Sequence, residues 1–200
     1  MVTDSSSEVA RLVLDLAFSR PPSLGGEGRL VCIDGPAGSG KTTLAAAVAA
    51  AAEVPTRVVH LDDLYVGWDG LPGVPDQLEQ LLSPLDRDAA CSYQRYDWEA
   101  GALAEDVIVE PVPLLVVEGV GAGTARISPM TTVLVWVEAP AGLRLQRGLD
   151  RDGDGLAEHW DAWAEAEEHH FERQGTRGRA DVVVDGTGRT GPRTVVPGAS

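Results

Sequence analysis

One lysine stands in the whole 200-residue chain, Lys41, and it lies inside the run Gly35-Pro36-Ala37-Gly38-Ser39-Gly40-Lys41-Thr42-Thr43. Gly35 to Thr42 has the spacing G-x-x-x-x-G-K-T. The apolar run Leu30-Val31-Cys32-Ile33 precedes it and an alanine-rich segment follows. Strand, glycine loop and helix in that order make a phosphate-binding loop. The glycines let the backbone turn tightly enough for successive N–H groups to face one concavity. The opening of the helix adds the positive end of its dipole. In such a loop Lys41 reaches the β- and γ-phosphates of a nucleotide, and the Thr42 hydroxyl is a ligand of Mg²⁺. A glycine turn of purely structural use is the alternative, and it leaves the solitary lysine unexplained.

Two acids at strand ends are the next candidates. Asp62 directly follows the apolar run Val58-Val59-His60-Leu61, where a carboxylate can take the proton of an acceptor hydroxyl or hold Mg²⁺ through water. It could equally cap a helix start, as could Asp63. Glu118 ends Leu114-Leu115-Val116-Val117, the place of the metal-side acid in nucleotide-binding loops of this kind; a solvated strand end is the alternative. Arg144, Arg147 and Arg151 share one helical face at spacings of three and four. That face either closes on phosphates or is simply solvated. Tyr65, Trp68, Tyr96, Asp97 and Trp98 are candidates for an acceptor pocket, in which rings stack on a base or sugar and the acid holds hydroxyls; ordinary burial of the rings is as good a reading. The four histidines form no metal-ligand spacing.

The elements that must position these residues follow from the hydrophobic pattern. Ser7 to Arg20 carries apolar residues at helical spacing and stops at Pro21-Pro22. Apolar runs predict strands at 30–33, 57–61, 112–117, 132–137 and 180–184, separated by helical stretches. Gln77 to Leu82 reads as one or two helical turns, Pro84 to Ala102 as irregular, and 143–150 and 156–174 as helices divided at Asp152-Gly153-Asp154-Gly155. The expected fold class is α/β: a five-stranded parallel sheet with helices on both faces and a small helical lid at about 144–175. Residues 1–185 make one domain, and the Gly- and Thr-rich stretch 186–200 reads as a flexible tail. Ligands then bind beyond the carboxyl ends of the strands, where the glycine loop, Asp62 and Glu118 converge.

Bulk composition is that of a globular protein, 44% apolar and 24% charged, with a formal net charge of −15. Such a surface repels nucleic acid and anionic lipid. No basic leader followed by an apolar core opens the chain, and no run reaches membrane-spanning length, so a cytoplasmic location is expected. Cys32 and Cys91 do not form a disulfide framework.

The motifs together resemble those of the uridine kinase and phosphoribulokinase branch of P-loop kinases, over about Arg29 to Asp185. The match rests on Gly35 to Thr43, Asp62-Asp63-Leu64-Tyr65, Val117-Glu118-Gly119, Arg144-Leu145 with Arg147 and Arg151-Asp152, and Ala180-Asp181. The resemblance implies the three-layer P-loop NTPase fold, ATP and Mg²⁺ as cofactors, Asp62 as catalytic base and Arg147 and Arg151 as lid arginines. The family's second lid-arginine cluster is replaced here by Gly153-Asp154-Gly155-Leu156-Ala157-Glu158, and its hydroxyl-binding acid matches Tyr96-Asp97-Trp98 loosely. A small-molecule kinase is therefore expected, with a nucleoside, sugar or cofactor precursor as acceptor. A catalytically silent nucleotide-binding protein is the other reading. A guanine-specific switch is excluded, because its Asn-Lys-x-Asp motif needs a second lysine.

Overall fold

The computed structural model describes residues 5–195. In chain order the elements are α1 (Ser5–Ser19), β1 (Arg29–Asp34), α2 (Lys41–Ala51), β2 (Thr56–His60), α3 (Val74–Leu85), β3 (Cys91–Asp97), β4 (Ala102–Val109), β5 (Leu114–Glu118), β6 (Val133–Glu138), α4 (Ala141–Asp152), α5 (Asp154–Gln174), α6 (Thr176–Arg179), β7 (Val182–Asp185) and β8 (Arg193–Thr194). Among the described residues no helix is long and apolar enough to cross a membrane.

The central sheet has the order β2-β5-β1-β6-β7-β8, and its first five strands run parallel. Their near-continuous apolar runs are explained by burial on both faces. Successive side chains point to opposite faces, so each strand feeds two cores. Val31, Ile33, Leu114, Val116, Val133 and Val135 pack under α1 and α2. Leu30, Cys32, Leu115, Val117, Leu134 and Trp136 pack on the other side against α3 and Trp163 of α5. Each such side chain contributes roughly 1.5–3 kcal/mol by leaving water. Because the strands are parallel, β1, β2 and β5 deliver Asp34, His60 and Glu118 to one edge.

Three expectations change. The stretch read as irregular, 84–102, contains β3, which pairs antiparallel with β4 as a separate hairpin. Its exposed residues Ser92 and Gln94 are polar, so the alternation carries little hydrophobic signal. Helix α3 is longer than one or two turns because Pro75 sits in its first turn, where the missing N–H costs nothing. Within the expected flexible tail, Arg193-Thr194 adds a sixth, antiparallel strand on Val182-Val183. Residues 196–200 of that tail lie outside the described part.

Candidate active site

The glycine loop bridges β1 and α2, with α2 starting at Lys41. Gly38 has φ 73°, and a Cβ there would stand 2.4 Å from the carbonyl oxygen of Arg144, so only glycine lets loop and α4 meet. Lys41 is buried, and its Nζ donates to the carbonyl of Pro36 at 3.0 Å. Burial lowers its pKa, against the pull of Glu118, Asp34, Asp62 and Glu167, which favour the charge.

Thr42 and Glu118 meet: Oγ1 of Thr42 donates to Oε1 of Glu118 at 3.0 Å. Nδ1 of His60 lies 2.6 Å from the same oxygen. That hydrogen bond raises the histidine's pKa, since it favours the imidazolium. Asp34 braces the loop from below. Its carboxylate is fully buried and accepts the N–H groups of Gly35, Gly121 and Gly123 at 2.7–2.8 Å. Burial pushes its pKa up to about 6 in spite of those donors.

A cavity of about 900 Å³ opens above this edge. The loop, Lys41, Thr42 and Thr43 form one wall, and Arg147 and Arg151 of α4 line it as well. Asp62 faces it from the turn after β2, and its carbonyl accepts Nε1–H of Trp98 at 2.8 Å. The opposite wall is aromatic. Trp68 stacks on His159 (centroids 4.8 Å apart, 18° between planes) and meets Trp98 and Trp163 edge-on.

The structure thus gathers Lys41, Thr42, Thr43, Asp62, Tyr65, Trp98, Glu118, Arg147 and Arg151 around one cavity, with Ala37, Gly38 and Gly40. Gly35, Pro36 and Ser39 belong to the loop's frame rather than to the cavity wall. Tyr65 contributes its ring only, because the buried hydroxyl donates to Val120 O at 2.8 Å. Tyr96 and Asp97 are not brought in. Tyr96 packs edge-on against Trp98, and Oδ1 of Asp97 accepts the N–H groups of Glu99 and Ala100, both at 2.9 Å, which closes the β3–β4 turn. Arg144 and Arg147 are not a solvated face. Arg144 binds the Ala37 carbonyl and Glu167, and Arg147 binds the carbonyls of Gly38, Ser39 and Gly186.

Sequence reasoning missed several contributors, among them the cavity-lining Glu99, Trp160 and Trp163 as well as Asp34, His60, Glu167 and His159. Asp34 has the same strand-end position as Asp62 and Glu118, and that position was the available signal. His60 becomes a partner of Glu118 only because β2 and β5 lie side by side. Glu167, 3% exposed, sits among charged residues on α5 and nothing in the sequence separates it from them. His159 reaches the cavity through the path of α5.

The residues suit the groups such a loop serves. The nest of backbone around Gly38 and Gly40 with Lys41 fits a polyphosphate, and the paired hydroxyl and carboxylate of Thr42 and Glu118 are hard oxygen donors of the kind Mg²⁺ takes. Among the described residues no three His, Cys, Asp or Glu side chains converge on a metal position. A cation here would therefore lean on phosphate oxygens for its remaining ligands, as Mg²⁺ commonly does.

No family model matches the chain, and no curated protein matches it in sequence. Solved structures match over most of its length. Two carry provisional names. A uridine kinase from Bacillus stearothermophilus is 22% identical with a TM-score of 0.61, the match covering 91% of this chain and 98% of that one. A fructose transport system kinase from Silicibacter sp. TM1040 is 21% identical with a TM-score of 0.63, covering 82% and 94%. The D-glycerate 3-kinase of Cryptococcus neoformans is 15% identical with a TM-score of 0.55, covering 95% and 99%.

Proposed function

We propose, for a chain that has the P-loop kinase fold of the uridine kinase type, that it transfers the γ-phosphate of ATP to a hydroxyl of a small metabolite. The observation that carries this reading is the convergence of Lys41, the Thr42–Glu118 pair and Asp62 on one cavity. A loop that merely held nucleotide with its metal would not need Asp62 facing the space beside it. Lys41 neutralises charge on the transferred phosphoryl group, and Arg147 and Arg151 add positive charge from α4. Thr42 and Glu118 would hold Mg²⁺, which would supply neutralisation of phosphate charge. Asp62 accepts the proton of the attacking hydroxyl.

The aromatic wall narrows the acceptor. The segments that build it bring Trp68, Trp98, Glu99, His159, Trp160 and Trp163 to the cavity, and among the described residues none of these segments brings a lysine or arginine. An acceptor carrying its own carboxylate or phosphate would have no cation from those segments to meet it. A neutral, ring-bearing alcohol fits, and nucleosides belong to that class. The acidic composition and the cavity's size favour a small substrate over nucleic acid or membrane.

A panel of hydroxyl-bearing metabolites, each with ATP and Mg²⁺ and read as ADP release, tests this. Turnover is expected with nucleosides or other uncharged ring alcohols, and not with glycerate or sugar phosphates. ATP binding without any acceptor-dependent ADP release would overturn the reading in favour of a silent nucleotide-binding protein.

A further inference from the structure

We propose, resting on the phosphotransferase reading, that His60 is a positioning residue that holds Glu118 in the orientation that binds the divalent cation. The parallel register sets His60 directly beside Glu118 on neighbouring strands, at the edge where β2 and β5 end together. The carboxylate is 5% exposed, so it has left most of its water and needs donors in exchange. It finds two, Nδ1 of His60 at 2.6 Å and Oγ1 of Thr42 at 3.0 Å, and both address Oε1. With one oxygen pinned from two sides, rotation of the carboxylate about its last bond is restrained, and Oε2 keeps a fixed direction.

The two donors are not equivalent. The Thr42 hydroxyl is itself a candidate ligand, so it cannot serve as an independent brace. His60 is the donor that stands outside the cation's own ligand set. Its ring is 43% exposed at the strand end, so packing alone does not account for its place. Ligating carboxylates are commonly oriented by such an outer partner, and losing it typically weakens metal binding about 10–100-fold.

The ring atom involved gives the test its specificity. Asparagine can place an amide N–H near the position of Nδ1, whereas alanine offers none. Mn²⁺ affinity is measured by electron paramagnetic resonance with a non-hydrolysable ATP analogue bound, and analogue affinity alone is measured in EDTA. His60→Ala is expected to weaken Mn²⁺ about 10–100-fold while metal-free analogue affinity stays as in the wild type. His60→Asn is expected to recover most of the Mn²⁺ affinity. Wild-type Mn²⁺ affinity in a folded His60→Ala protein overturns this role for His60 and leaves the kinase reading standing. A comparable loss in both variants overturns it also, since the N–H at that position would then not matter. Failure of the wild type to bind Mn²⁺ with the analogue overturns the kinase reading, and this role with it.

Discussion

Oε2 of Glu167 accepts a hydrogen bond from the backbone N–H of Ala37 at 2.8 Å, tying the middle of α5 to the glycine loop. Its other oxygen meets Arg144 at 2.9 Å, and Arg144 returns to the carbonyl of Ala37 at 3.2 Å. The pair closes a ring around the backbone of one residue, so α4, α5 and the loop are joined without a ligand. Burial pushes the Glu167 pKa up, while Ala37 N–H and Arg144 pull it back. Glu167→Ala leaves the Arg144 guanidinium, its side chain 14% exposed, without its counter-charge. Loss of one member of a buried pair costs about 3–5 kcal/mol. Equilibrium denaturation should show a loss of that order, and a loss under 1 kcal/mol would mean that the helices are held by packing alone.

Lys41→Ala should lower kcat by about 10²-fold or more, because no second lysine exists to take its place. Single-turnover measurement with saturating ATP separates this from weaker binding. Turnover equal to wild type would remove the central residue of the proposed function.

Asp62→Asn keeps the size and the backbone bond from Trp98, yet cannot take a proton. Phosphate transfer should slow by about 10²–10⁴-fold with the thermal melt and ATP affinity unchanged. An active, stable variant would move the search for the base to Asp63, whose Oδ2 accepts from the Tyr93 hydroxyl at 3.3 Å.

Trp68 and Asp97 should separate cleanly in steady-state kinetics. Trp68→Ala removes the centre of the aromatic wall and should raise the acceptor KM several-fold while sparing ATP. Asp97→Ala removes an acceptor for two turn N–H groups, so it should lower the thermal melt slightly and leave both KM values near wild type. A selective rise in acceptor KM for Asp97→Ala would bring that carboxylate back into the site.

His170 and Asp34 give opposite pH dependences. Burial lowers the His170 pKa to about 4, below the ordinary 6.5, so the unfolded chain binds its proton first as pH falls. Its contribution is intact above about 6.5 and is lost between there and 4, about 3 kcal/mol in all. Asp34 is raised from 3.8 to about 6, so the folded chain binds that proton first, and stability gains as pH falls through the same range. The difference between His170→Gln and wild type isolates the histidine. Denaturation at pH 7 and pH 4 should show the variant gaining about 3 kcal/mol relative to wild type on acidification. A pH-independent difference would mean that His170 is already hydrated in the fold.

The glycine loop was legible in the sequence because its chemistry is local: backbone nest, lysine and threonine are neighbours in the chain, and their spacing alone places them. The five parallel strands were legible for a related reason, since burial on both faces demands uninterrupted apolar runs such as Leu114 to Val117. The hairpin Cys91–Asp97 with Ala102–Val109 was not, because its first strand exposes polar Ser92 and Gln94 and its second leaves Leu103 and Ile108 outside the core, so neither alternates cleanly. Nor were the partnerships that shape the site. His60 meets Glu118 across 58 residues of chain, Ala37 meets Glu167 across 130, and Asp34 meets Gly123 across 89. Each depends on strand order or on the path of a distant helix, and no local pattern encodes which strand will be a neighbour. The same physics reassigned Asp97: a carboxylate beside two aromatic residues reads as a ligand, until the turn it closes supplies the N–H groups it was waiting for. The sequence by itself determined which phosphate-binding groups exist; the tertiary structure decided which acids and rings stand beside them.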